Sequence, residues 1–340
     1  MNIIGIETSC DETSAAVMVS GALKSNVISS HLIHRQYGWI VPELASRAHQ
    51  QLIVPVVSEA LGQAGIGRRE LHGIAVTSGP GLMGALLVGL NFAKAMSYGL
   101  RIPFTGVNHL EGHIYSNLIE DPKPDYPFLC LIVSGGHTQL VHVRKPLSHE
   151  LLGETLDDAA GEAYDKVGKM LGLGFPGGPL IDALASKGDP SFVTFPRALL
   201  DNDSYDFSFS GIKTSMLYWL RDHGLALTHG QTNSIEPQLL SNLSASFQAA
   251  VVDVLVEKTL RAATNLHLTD IAVAGGVSAN SELRGTLAKK AAQMGFQVFV
   301  PKPEFCTDNA AMIAMAGYLR LQAGMTSDYE LTAQPNLAYS

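Results

Sequence analysis

A chain of 340 residues, 46% hydrophobic and only 16% charged, is long enough for two domains and apolar enough to bury large cores, which excludes an intrinsically disordered protein. Its formal net charge of -8, from 23 Lys+Arg against 31 Asp+Glu, excludes a protein that binds nucleic acid by basic excess alone. Cys10, Cys130 and Cys306 stand far apart with no CxxC spacing, so neither a disulfide framework nor a thiolate zinc site is indicated, and a reducing cytoplasm fits. The start MNIIGIETSCDE lacks a basic stretch before its apolar run, which argues against a secretory signal, and no apolar run is read as long enough to span a membrane.

In chain order, residues 3–19 (IIGIETSCDETSAAVMV) run apolar, polar, apolar, the pattern of a β-hairpin, and a third strand is expected near residues 25–30. IAVTSGPG at residues 74–81 predicts a strand that ends in glycines and opens a helix; IPFTGVN predicts another strand, followed by the helix HLEGHIYSNLI. The same series then repeats. FLCLIVSGGHTQLVHV at residues 128–143 is a second hairpin, a third strand is expected near residues 150–154, IAVAGGVS at residues 271–278 is a second strand with a glycine turn, and FQVFVPK leads into EFCTDNAAMIAMAGYL. The hairpins and the glycine turns are unequally spaced, so the second half holds an insertion at about residues 155–240, with a helix-like stretch at 159–171 and the irregular run FPRALLDNDSYDFSFSGIK.

A hairpin, a third strand, then alternating helices and strands, present twice, is the layout of the α/β, actin-like, duplicated ribonuclease-H-like fold, with two lobes around a nucleotide cleft. The first lobe is expected over residues 1–120, the second over 121–322 with its helical insertion, and a C-terminal tail over 323–340.

His109 and His113 stand at i,i+4 spacing, which puts both imidazoles on one helix face, as a divalent-metal site requires; a helix-start pair with no ligand role reads equally well from spacing alone. The repeat adds Asp308, because Cys306-Thr307-Asp308-Asn309 opens the matching helix of the second half. Two histidines and one carboxylate leave coordination positions open and suit iron(II) or zinc, while a plain helix N-cap is the other reading of Asp308. The zinc-peptidase pattern HExxH is absent, since Glu111 of HLEGH falls on a different helix face. Glycine turns at residues 78–81, 134–136, 176–178 and 275–276 offer backbone N–H groups for phosphate. Asp165 and Asp182 read as ribose ligands or as a solvated helix face, and Asn280 as a substrate contact or a cap. Glu7, Ser9, Asp11 and Glu12 crowd the first hairpin turn, where Asp11 and Glu12 are candidate catalytic groups.

Taken together, ETSCDET at 7–13, VPELASRAH at 41–49, GPGL at 79–82, HLEGH, SGGHT at 134–138, FPGGP at 175–179, DFSFSGIKT at 206–214, AGGVSAN and FCTDN resemble the TsaD/Gcp family over almost the whole chain. The resemblance implies transfer of a threonylcarbamoyl group from threonylcarbamoyl-AMP to N6 of the adenosine next to the anticodon, in tRNAs reading codons that begin with A, to form t6A. It implies one iron(II) per subunit on His109, His113 and Asp308, with zinc or another divalent ion as the alternative. It implies an acyl-adenylate site of Ile132, Val133, Ser134, Gly135, Gly136, Asp165, Gly178, Asp182 and Asn280. It also implies an inactive paralogous subunit and a small ATPase as partners, which bears on tRNA binding because residues 156–240 hold 6 Lys+Arg against 11 Asp+Glu. An actin-like small-molecule kinase and a non-catalytic scaffold are the competing readings; the first leaves HLEGH and CTDN unexplained.

Overall fold

The computed structural model describes residues 1–30, 41–200, 203–225 and 235–339. The chain divides into two compact units, Met1–Lys123 with Lys145–His149 and Pro301–Ser340, and Pro124–Arg144 with Glu150–Val300.

In the first unit the expected hairpin forms from Asn2–Glu7 (β1) and Glu12–Val19 (β2), antiparallel with Ile6 opposite Ala15. Ala22–Ser30 (β3) follows after a tight turn in which Ser20 and Gly21 take positive φ, so it starts earlier than the polarity pattern indicates. Gly73–Gly79 (β4) and Phe104–Asn108 (β5) add in parallel on the other side of β1, giving the order β3-β2-β1-β4-β5. Because side chains alternate along a strand, Ile4 and Ile6 point to one face, where they join Ala15, Val17 and the buried stripes of Pro42–Ala64 (α1) and Met83–Leu100 (α2). In α1 that stripe is Ile53, Val56, Val57 and Ala60, one face of a 3.6-residue period, and Gly65 ends the helix at φ 68. His109–Ser116 (α3) follows β5 at once, and the Asn108 side chain caps it by accepting the Leu110 N–H.

The second unit repeats this plan with Phe128–Val133 (β6), Thr138–Lys145 (β7), Ser148–Glu154 (β8), Asp270–Ala274 (β9) and Gln297–Phe299 (β10), in the order β8-β7-β6-β9-β10. Its helices are Ala160–Met170 (α4), Gly177–Ala185 (α5), Ser210–Asp222 (α6), Pro237–Asn265 (α7) and Ser281–Gln293 (α8). Contrary to the sequence reading, α7 is long and apolar enough to cross a membrane, with a mean hydropathy of 1.5 over its most apolar stretch. That stretch is 72% buried, and Phe247, Val251, Val254 and Leu255 share the core with Leu129 and Leu131, so its apolarity is that of a core helix. The irregular run before α6, apart from residues 201–202, which lie outside the described residues, has a local logic. Phe207 and Phe209 are buried, while the Asp157 carboxylate accepts the Phe209 and Ser210 N–H groups and the Ser208 and Ser210 hydroxyls. These bonds outweigh partial burial and hold the Asp157 carboxyl below its usual range.

The end of the chain departs from the expected lobe boundaries. EFCTDNAAMIAMAGYL is not one helix but Pro303–Cys306 (α9) and Ala310–Gln322 (α10), separated where Asn309 turns its side chain back to accept the Met312 N–H. Both helices and residues 323–339 belong to the first unit, so a lobe running over 121–322 and a separate tail are corrected. Packing explains the return. Gly5 faces away from α1, and a Cβ there would lie 2.6 Å from the Ala310 carbonyl and 2.8 Å from the Ala314 side chain; Gly317 meets Ala75 as closely. Small residues at Ala310, Ala314 and Gly317 thus seat α10 directly on the backbone of β1 and β4.

Candidate functional site

The metal-type residues all lie in the first unit. His109 and His113 come from α3, and Asp308 precedes the Asn309 cap of α10. One ligand atom from each lies within 4.8 Å of the other two. His109 Nε2 is 3.4 Å and His113 Nε2 3.2 Å from Asp308 Oδ1. The N-cap reading of Asp308 falls, because Asn309 does the capping and leaves the carboxylate free for the histidines. The ligands also do not come from two lobes: α10 is a first-unit helix, whatever half of the sequence encodes it.

Glu7 was read only as one of several polar groups at a turn, and the structure gives it a definite partner. Its Oε2 lies 3.0 Å from His109 Nδ1 and accepts the Thr77 hydroxyl at 2.7 Å, with the Ser9 hydroxyl also 3.1 Å from that nitrogen. A carboxylate accepting the Nδ1–H leaves the Nε2 lone pair facing Asp308, the arrangement by which outer residues orient a metal-bound histidine. Burial alone would raise Glu7, yet His109 holds it below the usual carboxylate range. Burial alone would likewise lower His109, but Asp308 and Glu7 on its two sides raise it well above the ordinary imidazole value. Asp308 is held well below its range against burial, chiefly by His109. A buried imidazole between two carboxylates is a place prepared for positive charge.

His113 makes the stronger case for an ion. It is fully buried, with Nε2 3.2 Å from the Asp308 carboxylate and no hydrogen-bond partner for Nδ1. A buried imidazole whose Nε2 converges with a second imidazole on one carboxylate oxygen fits a cation, whose ligand atoms need no hydrogen. The Asp308 side chain keeps 23% exposure, which leaves one side of the group reachable from solvent. Donor set and geometry therefore accommodate a divalent metal.

Asp11 and Glu12 lie where β2 begins, and Glu12 is within the electrostatic reach of Asp308. Burial, Asp308 and Asp11 together push the Glu12 carboxyl up to about 10, and burial with the same acids raises the Cys10 thiol, which rules out an activated thiolate there. His49, in the VPELASRAH segment and given no role from sequence, is buried with Nδ1 2.8 Å from the Thr13 hydroxyl and Nε2 3.1 Å from the Cys10 carbonyl, which pins this acidic turn. A lone histidine two turns into a helix, on the same buried face as Ala45 and Ile53, carries no periodic signal that would have singled it out.

The second set of expected residues gathers in the second unit. The β6–β7 turn Ser134-Gly135-Gly136 is bordered by α4, whose Gly161 N–H bonds the Ser134 carbonyl, and by Gly275, where a Cβ would lie 2.5 Å from the Val133 carbonyl. Ile132 and Val133 are buried at the end of β6. The Asp165 carboxylate accepts the Gly177 N–H at 2.7 Å, and burial nevertheless raises its pKa. Asp182 accepts from the Asn280 amide, Gln248 Nε2 and both the N–H and the hydroxyl of Ser281, while Asn280 Oδ1 caps α8 at Leu283. Asn280 is therefore a cap tied to Asp182, with Gln248 as an unanticipated third member.

The glycine turns divide into two kinds. Gly81, Gly161, Gly177 and Gly275 are explained by close backbone approach, since an added Cβ would meet protein atoms at 2.5 to 2.7 Å. The turn at 78–81 is moreover closed by residues 334–335, through Gln334 N–H to the Ser78 carbonyl and Gly81 N–H to the Pro335 carbonyl, so it is not a phosphate cradle. Gly135, Gly136 and Gly178 are different, because nothing stands within 4 Å of where a Cβ would be.

A family profile described as tRNA N6-adenosine threonylcarbamoyltransferase matches residues 21–315. The tRNA N6-adenosine threonylcarbamoyltransferase of Salinibacter ruber is 53% identical over 338 residues, 99% of each chain, and that of Syntrophotalea carbinolica is 52% identical over 99% of this chain and 96% of its own. Among solved structures, full-length HypF in its phosphate- and nucleotide-bound form superposes with a TM-score of 0.62 and T. kodakarensis HypF with 0.60, both at 14% identity. This chain spans 47% and 49% of those two chains, and the likeness is one of fold, in agreement with the actin-like class read from the repeat. On profile and near full-length identity, the chain belongs to the tRNA N6-adenosine threonylcarbamoyltransferase family.

Proposed function

We propose that this chain transfers a threonylcarbamoyl group from threonylcarbamoyl-AMP to N6 of the adenosine next to the anticodon, in tRNAs reading codons that begin with A, with one divalent cation, iron(II) before zinc, on His109, His113 and Asp308. Family membership carries the reaction, and the convergence of His109, His113 and Asp308 ligand atoms within 4.8 Å of one another carries the metal. When bound, such a cation supplies Lewis-acid stabilisation for negative charge on an acyl oxygen.

This chain's own residues hold and orient. In the reaction N6 bonds to the carbamoyl carbon, the bond from that carbon to the AMP oxygen breaks, and N6 loses a proton. Asp11 and Glu12 are the candidates to receive that proton. Burial first, then repulsion by Asp308 and Asp11, keeps the proton on Glu12 at neutral pH, and a cation beside Asp308 would remove only the second of these causes. In the second unit the open glycines Gly135 and Gly136 offer backbone N–H groups to the phosphate, beside Ile132, Val133 and Ser134, while Gly178, whose N–H bonds Asp165, leaves open space next to its Cα. Asp182, the expected ribose ligand, already accepts from Asn280, Gln248 and both groups of Ser281, so it takes a ribose hydroxyl only in exchange for one of these donors, while Asp165 and Asn280 hold the turns around it.

A net charge of -8 supports a reading in which partners, an inactive paralogous subunit and a small ATPase in the cytoplasm, supply phosphate contacts to the tRNA. The test is His109→Ala with His113→Ala in a reconstituted system, reading t6A by nucleoside analysis of the tRNA and metal by elemental analysis. Loss of both is expected; wild-type t6A formation at unchanged metal content would remove the metal and its role together.

A further inference from the structure

Glu111, the middle residue of HLEGH, points away from the histidines on either side of it, and neither the metal nor the substrate reading uses it. It is nonetheless almost fully buried, at 2% exposure. Its Oε2 lies 3.3 Å from Arg320 Nη1, and its Oε1 lies 3.5 Å from His149 Nδ1. Arg320 sits near the end of α10, with Nε also 3.3 Å from the Thr105 hydroxyl on β5, the strand that leads into α3.

The placement matters because α3 carries two of the candidate metal ligands and the third, Asp308, directly precedes the cap of α10. Nothing covalent sets the gap between them, which must hold to a few tenths of an ångström for three ligands to converge. Two features on the far side from the ligands set it. At Gly112 a Cβ would lie 2.8 Å from Ile313 Cδ1 and 3.2 Å from Met312 Cγ, so glycine admits the close approach of the helices. Beside it, the Glu111–Arg320 ion pair joins the helices across the contact, shielded from solvent, with exposures of 3% and 18% for the two side chains.

We infer that Glu111 and Arg320 are positioning residues for the metal centre: their ion pair clamps α3 to α10 and so fixes His109 and His113 against Asp308. The four-residue span between the histidines then has a full chemical reading, with ligands at its ends and, between them, a clamp and a close-packing glycine. The inference rests on the metal reading above, and its test separates the two.

The probe is cobalt(II), titrated into the metal-free full-length protein and followed by d–d absorption, with apo-protein melting measured in parallel. Wild type is expected to bind one cobalt. Glu111→Gln keeps the shape and removes the charge, Arg320→Lys keeps the charge and removes the fork, and each is expected to weaken cobalt about 10- to 100-fold and alter the band pattern, as loss of an outer-shell partner does. Because Glu111→Gln strands a buried guanidinium, the paired variant Glu111→Gln with Arg320→Met guards against misfolding. A clamp acting as a unit makes the pair no worse for cobalt than either single change. Wild-type cobalt affinity and spectrum in the folded variants would overturn the clamp and leave the metal site standing. Failure of the wild type itself to bind cobalt would instead overturn the metal reading.

Discussion

The two hairpin turns occupy the same place in two sheets of the same strand order and are chemically opposite. After β1 the turn carries Glu7, Ser9, Asp11 and Glu12, with Glu7 bonded to His109. After β6 the corresponding turn is Ser134-Gly135-Gly136, without a carboxylate. Each is backed by a glycine at the end of the next strand over, Gly81 against Ser9 and Gly275 against Val133, at 2.7 and 2.5 Å from where a Cβ would stand. The shared glycines belong to the fold, which needs two backbones to touch there. The differing residues belong to the proposed chemistry, in which acids and an imidazole at the first turn serve a cation and glycine amides at the second serve a phosphate.

The largest break of this comparison is His113→Ala. It should abolish stoichiometric metal and slow t6A formation at least ~100-fold, the equivalent of about 3 kcal/mol of transition-state stabilisation. Metal analysis and single-turnover rates check it, and a rate within a few-fold of wild type would return the first turn to a merely structural role.

Acid should also weaken the first unit through His149, whose ring nitrogen Nε2 is bonded to Tyr115 and whose pKa burial and Arg320 lower to about 4. Its folded pKa lies below the unfolded value, so the unfolded chain binds the extra proton and stability falls as pH drops from about 6.5 to about 4, by on the order of 3 kcal/mol at most. Urea unfolding of His149→Phe across that range should show a flatter pH slope than wild type, and an unchanged slope would contradict the burial argument.

Two glycine substitutions in the second unit sharpen the distinction between fold and chemistry. Gly275→Ala, at φ 87 and against the Val133 carbonyl, should lose about 2 kcal/mol in urea unfolding. Gly135→Ala, at an open position, should leave stability within about 0.5 kcal/mol while weakening AMP binding by calorimetry. Equal losses of stability at both positions would erase the division of the glycines into two kinds.

The doubled fold was legible because strand alternation and glycine turns are local patterns, and they recur in the same order in both halves. The i,i+4 spacing of His109 and His113 was legible for the same reason, as was the two-histidine, one-carboxylate donor set. Glu7 as the partner of His109, Gln248 beside Asp182 and Asn280, and Arg320 on Glu111 were not, since each pair is separated by 32 residues or more and has no sequence period. A signal did exist for the return of α10: small residues at Ala310, Ala314 and Gly317 form one helical stripe fit for close contact with a strand backbone.

Sequence by itself determined the two hairpins, the glycine-ended strands that open helices and which side chains share a helix face, because these follow from periodicity over a few residues. Only the tertiary structure decided that the last two helices complete the first unit and that Asp308 is freed by the Asn309 cap. It alone separated glycines that admit a neighbouring backbone from those that face open space. Those outcomes depend on the fit of surfaces far apart in the chain, where a single Cβ decides whether two backbones meet.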